Sequence, residues 1–134
     1  MIALLLYLLI LIVAQTFVAP CLRYIHSGLS FREILHIGLG SRDQMPPMSI
    51  FCERAARAQK NMQEAIPILL SLFFLCIILK IDSQQAQDSA SLILVSRLLY
   101  IPAYISGLKG LRSFFWVTSW IGIAIMLSCI IAHI

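Results

Sequence analysis

Apolar side chains fall along this chain in four long blocks, and the polar residues between and within them outline the fold. Ile2 to Leu22 carries no charge, and Gln15 and Thr16 are its conspicuous polar positions. Ala65 to Leu79 is uncharged but follows without a break from a dense polar run, Glu53 to Glu64. Ser89 to Leu108 holds a single charge, Arg97, and Ser113 to Ile134 holds none beyond the chain terminus. A membrane-crossing helix needs roughly 17–25 residues at about 1.5 Å each. The blocks therefore predict spans at about 2–22, 50–80, 89–108 and 113–134. The expected fold is all-α: an integral membrane four-helix bundle forming one domain over 1–134. The first block lacks a basic flank and exceeds the usual apolar length of a cleaved leader, about 7–15 residues, so it reads as a span.

Breakers divide the blocks. Met45-Pro46-Pro47 followed by Met48-Ser49 marks a helix start, with Ser49 as N-cap and Glu53 near the first turn, where the helix dipole favours an acid. Pro67 and Pro102 lie inside the second and third spans and predict kinks. Asp82 to Asp88 reads as a short polar turn, and Gly107 to Gly110 as another. The connection from Arg23 to Met48 is long, and Phe31 to Ile37 within it predicts a short interfacial helix. Gly38-Leu39-Gly40-Ser41 is not a nucleotide loop, because no strand precedes it and no Lys-Ser/Thr follows.

Composition agrees with a membrane protein. Of 134 residues, 60% are hydrophobic and 12% charged, against about 25% charged in soluble domains. Arg23, Arg32, Arg42, Arg54, Arg57 and Lys60 crowd the first connection and the helix head after it, and Lys109 and Arg112 the third. The second connection balances Lys80 against Asp82 and Asp88. Basic residues favour the cytoplasmic side, so connections one and three are expected there and both termini on the opposite side. The net charge of +4 follows from this asymmetry. It does not signal nucleic-acid binding, since no nucleic-acid module is present. Cys21, Cys52, Cys76 and Cys129 lack metal or redox spacing, and His26, His36 and His133 are isolated, so no metal site is expected.

The candidate chemistry sits on helical stripes. Arg54, Arg57, Asn61 and Glu64 follow at steps of three, four and three, which places them on one face with Lys60 beside it. Cationic donors, an amide and a carboxylate suit a zwitterionic ligand. Arg97, Tyr100 and Tyr104 form a second stripe. A mid-span arginine is costly unless it pairs inside the bundle, and Glu64 is the economical partner for Arg97. Arg112 and Ser113 open the fourth span, where free backbone N–H groups favour anions, as a thiolate site requires.

These segments together resemble the MAPEG family, the membrane-associated proteins of eicosanoid and glutathione metabolism. Glu53 through Glu64 and on to Pro67 is similar to the family signature of arginine, asparagine, glutamate and proline. Arg97-Leu98-Leu99-Tyr100-Ile101-Pro102-Ala103-Tyr104 resembles its third-span motif, and Leu111-Arg112-Ser113 the start of its fourth span. Gly40-Ser41-Arg42-Asp43 and Leu111 to Trp116 look most like a compact, mainly bacterial branch. The resemblance implies a homotrimer with glutathione bound between neighbouring subunits near the cytoplasmic face. By the same resemblance Arg57, Asn61, Glu64, Arg97, Tyr104, Arg112 and Ser113 match positions that hold or activate glutathione. Tyr100 joins them on the Arg97 stripe. Lys60 stands where a relative has arginine, keeping the charge but losing the planar fork. Arg23, near the end of the first span, is the candidate for a further ligand.

The reading is a membrane-bound glutathione transferase of the detoxification type, acting on lipophilic electrophiles or lipid hydroperoxides, with isomerase activity a variant of the same chemistry. Arg112, Ser113 and Tyr104 would activate the thiol. Arg57, Lys60, Asn61, Glu64, Arg97, Tyr100 and Arg23 would bind glutathione. The alternative is a non-catalytic lipid-binding or scaffold protein of the same fold. A transporter is disfavoured by the lack of an inverted repeat. The branch resemblance implies a bacterial inner membrane, with the endoplasmic reticulum as alternative.

Overall fold

The computed structural model describes residues 1–25, 27–41 and 45–134. Five helices follow in order: α1 (Ile2–Ile25), α2 (Phe31–Leu39), α3 (Ile50–Ile78), α4 (Gln84–Ser106) and α5 (Lys109–Ile131). Among the described residues α1, α3, α4 and α5 are long and apolar enough to cross a membrane, which makes the chain an integral, multi-pass membrane protein. His26, Arg42 and Asp43, named above, lie outside the described residues.

The helices begin and end where the local chemistry dictates. Ser49 caps α3, its hydroxyl accepting from Cys52 N at 3.2 Å. Ser83 caps α4 in the same way through Ala86 N at 3.3 Å. That cap moves the start of the third span back to Gln84, so the polar run predicted as a turn is mostly the first turn of α4. The third connection is also shorter than expected, with Gly107 and Leu108 alone separating α4 from α5. Gly107 ends α4 at φ 81°, a left-handed conformation that glycine adopts without a Cβ penalty. The fourth span accordingly begins at Lys109 rather than Ser113. Both α3 and α4 run on without interruption through Pro67 and Pro102.

The interfacial helix extends to Leu39. Ser30 Oγ accepts from Glu33 N at 3.4 Å while Glu33 Oε2 accepts from Ser30 N at 2.8 Å, a capping box. The bonds from the Ser30 hydroxyl and then the Ser30 backbone hold the Glu33 carboxyl below its ordinary range. The cap is therefore intact at neutral pH and is lost as pH falls through that lowered value.

Successive spans are antiparallel neighbours. Cys52 Sγ donates to Ala19 O at 3.3 Å, joining the start of α3 to the end of α1. Leu8, Leu69, Phe73, Ile93 and Met126 are fully buried where the four spans meet. Lipid tails are as apolar as leucine, so helix association in a membrane depends on close packing more than on water exclusion. The α4–α5 contact shows this: a Cβ on Gly122 would lie 2.7 Å from Ile93 Cγ1 and 3.2 Å from Ser89 O. Gln15 is also buried, and neither of its amide atoms has a hydrogen-bond partner among the described residues; a bound water would satisfy them.

One end of the bundle is basic. It gathers the end of α1, the start of α3 and the α4–α5 turn, with Arg23, Arg54, Arg57, Lys109 and Arg112. The other end holds Asp82, whose carboxylate lies 3.8 Å from the Met1 amine.

Candidate functional site

The polar centre of the bundle is Arg97. Its side chain is 2% exposed. Nε donates to Ser119 Oγ at 2.8 Å, and Nη1 donates to Asn61 Oδ1 at 3.0 Å. The expected Arg97–Glu64 contact is not formed, and Glu64 is exposed. A neutral hydroxyl and an amide replace the carboxylate: both project from helices that pack on α4 at the depth of Arg97, whereas Glu64 stands one turn further along the Asn61 stripe and is exposed. Arginine can only donate, so the amide must turn its oxygen toward Arg97. That fixes Asn61 with its Nδ2 group free to donate elsewhere.

The elsewhere is a cavity of about 270 Å³ lined by Asn61, Tyr100, Tyr104, Arg112, Ser113 and Trp116. It brings together Asn61, Tyr100, Tyr104, Arg112 and Ser113, five of the predicted residues, from three helices. Tyr100 and Tyr104 meet edge to face, centroids 5.4 Å apart. The Arg112 guanidinium carbon lies 4.9 Å from the Tyr104 ring centroid, a cation–π contact. Arg112 thus has its orientation set by an aromatic pair anchored in the core through buried Tyr100. Ser113 Oγ donates to Lys109 O at 3.2 Å. Arg112 and Ser113 stand one turn inside α5, since Arg112 N already donates to Leu108 O at 3.0 Å. The free first-turn N–H groups of α5 precede them.

A second, smaller cavity of about 140 Å³ adjoins this one through Tyr104 and Arg112. Arg54, Arg57, Gly107 and Lys109 complete its lining. Arg54 leaves its predicted stripe for the end of α4: Nη1 donates to Ile105 O at 3.2 Å, satisfying a carbonyl that has no intrahelical partner. The guanidinium lies against Gly107, where an added Cβ would fall 2.5 Å from Nη1. Gly107→Ala is expected to cost about 1–2 kcal/mol from the left-handed backbone and to lift Arg54 from its carbonyl. In a double-mutant cycle on thermal unfolding in detergent, Gly107→Ala and Arg54→Ala should couple; additive effects would separate the two residues.

Of the remaining predicted residues, Arg57 lines the smaller cavity and the others line neither. Arg57 is exposed, its Nη1 3.6 Å from Glu53 Oε2 on its own helix. Lys60 and Glu64 are exposed on the same side of α3. Arg97 lies behind Asn61 and does not line the cavity. Arg23 holds the returning loop, its Nε donating to Pro46 O at 2.6 Å and its Nη1 to Met45 Sδ at 3.5 Å. Among the described residues no group of His, Cys, Asp and Glu could hold a metal ion, and the four cysteines are free.

The MAPEG family model matches residues 1–132, nearly the whole chain. The chain belongs to the MAPEG family. No curated protein and no solved structure matches it. The family includes glutathione-dependent transferases and peroxidases, and the cavity of this MAPEG chain carries Asn61, Tyr104, Arg112 and Ser113 of the residues on which its sequence resemblance rested, but not Arg57, Glu64 or Arg97. Ser119, Trp116, Arg54 and Lys109 are the participants that sequence reasoning missed or placed differently. Trp116 lies four residues beyond Arg112, a helical spacing that could have revealed it. Ser119 had no such signal, because its role depends on the depth at which α5 crosses Arg97.

Proposed function

We propose that this MAPEG protein is a membrane-bound glutathione transferase with peroxidase capacity, and that the cavity around Arg112 is its thiol site. The observation that carries the reading is the Arg112–Tyr104–Tyr100 stack beside Asn61 and Ser113. It presents an oriented cation and hydroxyl donors to one small volume at the basic end of the bundle.

A free thiol has a pKa near 8.5, and adjacent cations lower it. Lowering it by two units takes about 2.7 kcal/mol of preferential thiolate stabilisation. Arg112 supplies charge, and the Tyr104 hydroxyl a hydrogen bond. Ser113 supplies a second when its hydroxyl turns from Lys109 O. Asn61 Nδ2, fixed by Arg97, holds a carbonyl or carboxylate of the tripeptide. Arg57 and Lys60 suit its carboxylates and Glu64 its ammonium group. In conjugation the thiolate attacks an electrophilic carbon and the leaving group departs with its electron pair. In peroxide reduction it attacks the hydroperoxide oxygen, releasing an alcohol; a second glutathione then gives the disulfide and water. The apolar acceptor approaches from the bilayer past Trp116 and Trp120, whose rings lie 5.8 Å apart at the outer face of α5.

The assembly proposed is a homotrimer with glutathione between neighbours. Its support is the exposed charge on α3: Arg57, Lys60 and Glu64 adjoin a membrane span and need cover from lipid. The basic end is assigned to the cytoplasm by its charge, in a bacterial inner membrane by branch resemblance. A non-catalytic lipid-binding role finds support in an apolar groove of about 360 Å³ between α1 and α4, lined by Tyr7, Ile10, Leu11, Ala14, Leu94 and Leu98. Calorimetry with glutathione on the purified protein, followed by conjugation to a generic aryl halide, separates the two. Saturable binding with turnover is the expected result; neither, in an intact assembly, would leave the lipid-binding role.

A further inference from the structure

The smaller cavity combines charge and size in a way that thiol activation does not require. Arg54, Arg57, Lys109 and Arg112 all line its 140 Å³, and no carboxylate does. Glu53 approaches Arg57 from outside, and both side chains are about half exposed. Arg54 donates to a neutral carbonyl, so its charge is unspent. Leu108, the N-cap of α5, provides no side-chain acceptor, so the first-turn N–H groups beside Lys109 add to the positive field. Four like charges crowded together repel one another and raise the affinity of any small anion that enters.

We infer that this cavity is a binding site for a phosphate group, distinct from the thiol cavity but sharing Tyr104 and Arg112 with it. The volume lies far below the roughly 300–1,000 Å³ of a site for a whole small molecule and fits one oxyanion group. A phosphate monoester carries close to two negative charges at neutral pH and three acceptor oxygens, matching several cations better than one carboxylate does. Arginine forks are suited to two-oxygen edges of phosphate, and lysine serves as a point charge. The group has two sources: soluble phosphate, or the monoester headgroup of an anionic lipid such as phosphatidic acid. Leu108, Leu111 and Phe114, exposed and next to Lys109 and Arg112 in the chain, offer apolar surface for the acyl chains of such a lipid. The inference builds on the proposed glutathione site through Tyr104, Arg112 and Arg57, the last assigned above to a glutathione carboxylate, and phosphate in the smaller cavity would oppose an anionic substrate at Arg112.

The test is calorimetric titration of inorganic phosphate into the purified protein in uncharged detergent without glutathione, with chloride at equal ionic strength as control. Saturable binding above the chloride level is expected. Lys109→Gln should weaken it by about tenfold, the loss of one charge-assisted hydrogen bond, while Arg54→Lys, which keeps the charge, should weaken it less. No binding above chloride, or wild-type phosphate affinity in Lys109→Gln, would overturn the inference. Glutathione titrated into the same samples keeps the two readings apart, since Lys109 has no assigned part in holding the thiol. Phosphate binding without glutathione binding would remove the thiol reading and leave this site; the converse would do the opposite. In nanodiscs, loss of inorganic phosphate binding when phosphatidic acid is added to phosphatidylcholine identifies the lipid as the source, and unchanged binding identifies soluble phosphate.

Discussion

Arg112→Ala is expected to lower conjugation turnover by about a hundred-fold or more, the usual cost of removing a donor aimed at developing or resident negative charge. Glutathione affinity should fall far less. The difference follows from the proposed site, in which Arg112 faces the sulfur: a group that favours thiolate over thiol acts on the rate more than on the holding of the tripeptide. Ser113→Ala should show the same pattern more mildly, since a neutral donor stabilises an anion less than a charge-assisted one. The Arg112 stack on Tyr104 adds a structural control. Tyr104→Phe keeps the ring and the orientation of Arg112 but removes the hydroxyl, so it should retain more activity than Tyr104→Ala. Steady-state kinetics beside calorimetry decide the matter: equal losses of affinity and turnover in Arg112→Ala would make it a binding residue and move activation elsewhere.

The second large effect is on stability. Arg97 is buried in the middle of a membrane bundle with Ser119 and Asn61 as its partners. Asn61→Leu with Ser119→Ala leaves its charge without them, and an uncompensated buried charge costs about 3–5 kcal/mol. Adding Arg97→Leu to that pair should recover most of the loss, because an apolar replacement of a whole buried polar cluster is often close to neutral. Denaturation of the wild type and the two variants in detergent reads this directly. If the triple variant proves as unstable as the double, the cluster stabilises the bundle in its own right. The rescued bundle should still lack activity, since Asn61 no longer presents its amide to the cavity.

Much of the fold was legible in the sequence because the decisive signals are local. Long apolar blocks marked the four spans, Ser49 the start of α3, and Phe31 to Ile37 the interfacial helix. The boundaries that shifted did so through capping. Ser83 draws Gln84 to Asp88 into a helix that hydropathy alone excludes, and Gly107 turns the chain in two residues. At the site, helical spacing put Tyr100 and Tyr104 on one stripe, and the fold sets Arg112 and Ser113 of α5 beside them in one cavity. Spacing could not say which way a long side chain would turn. Arg54, Arg57 and Glu64 share a stripe with Asn61, yet Arg54 bends to the end of α4 and Arg57 lies along its own helix toward Glu53. Arg97 was recognised as needing a partner, but charge alone pointed to Glu64. Depth matching across three helices, which no one-dimensional pattern carries, selected Ser119 and Asn61 instead.

Thiol activation by the Arg112 cavity is tested most directly by the ultraviolet absorbance of glutathione bound to the wild-type protein, followed against pH. A thiolate band titrating well below the free thiol's pKa of about 8.5, and moving upward in Arg112→Ala, is the expected result. Bound glutathione that remains a thiol through neutral pH, or a band unmoved by Arg112→Ala, would contradict it.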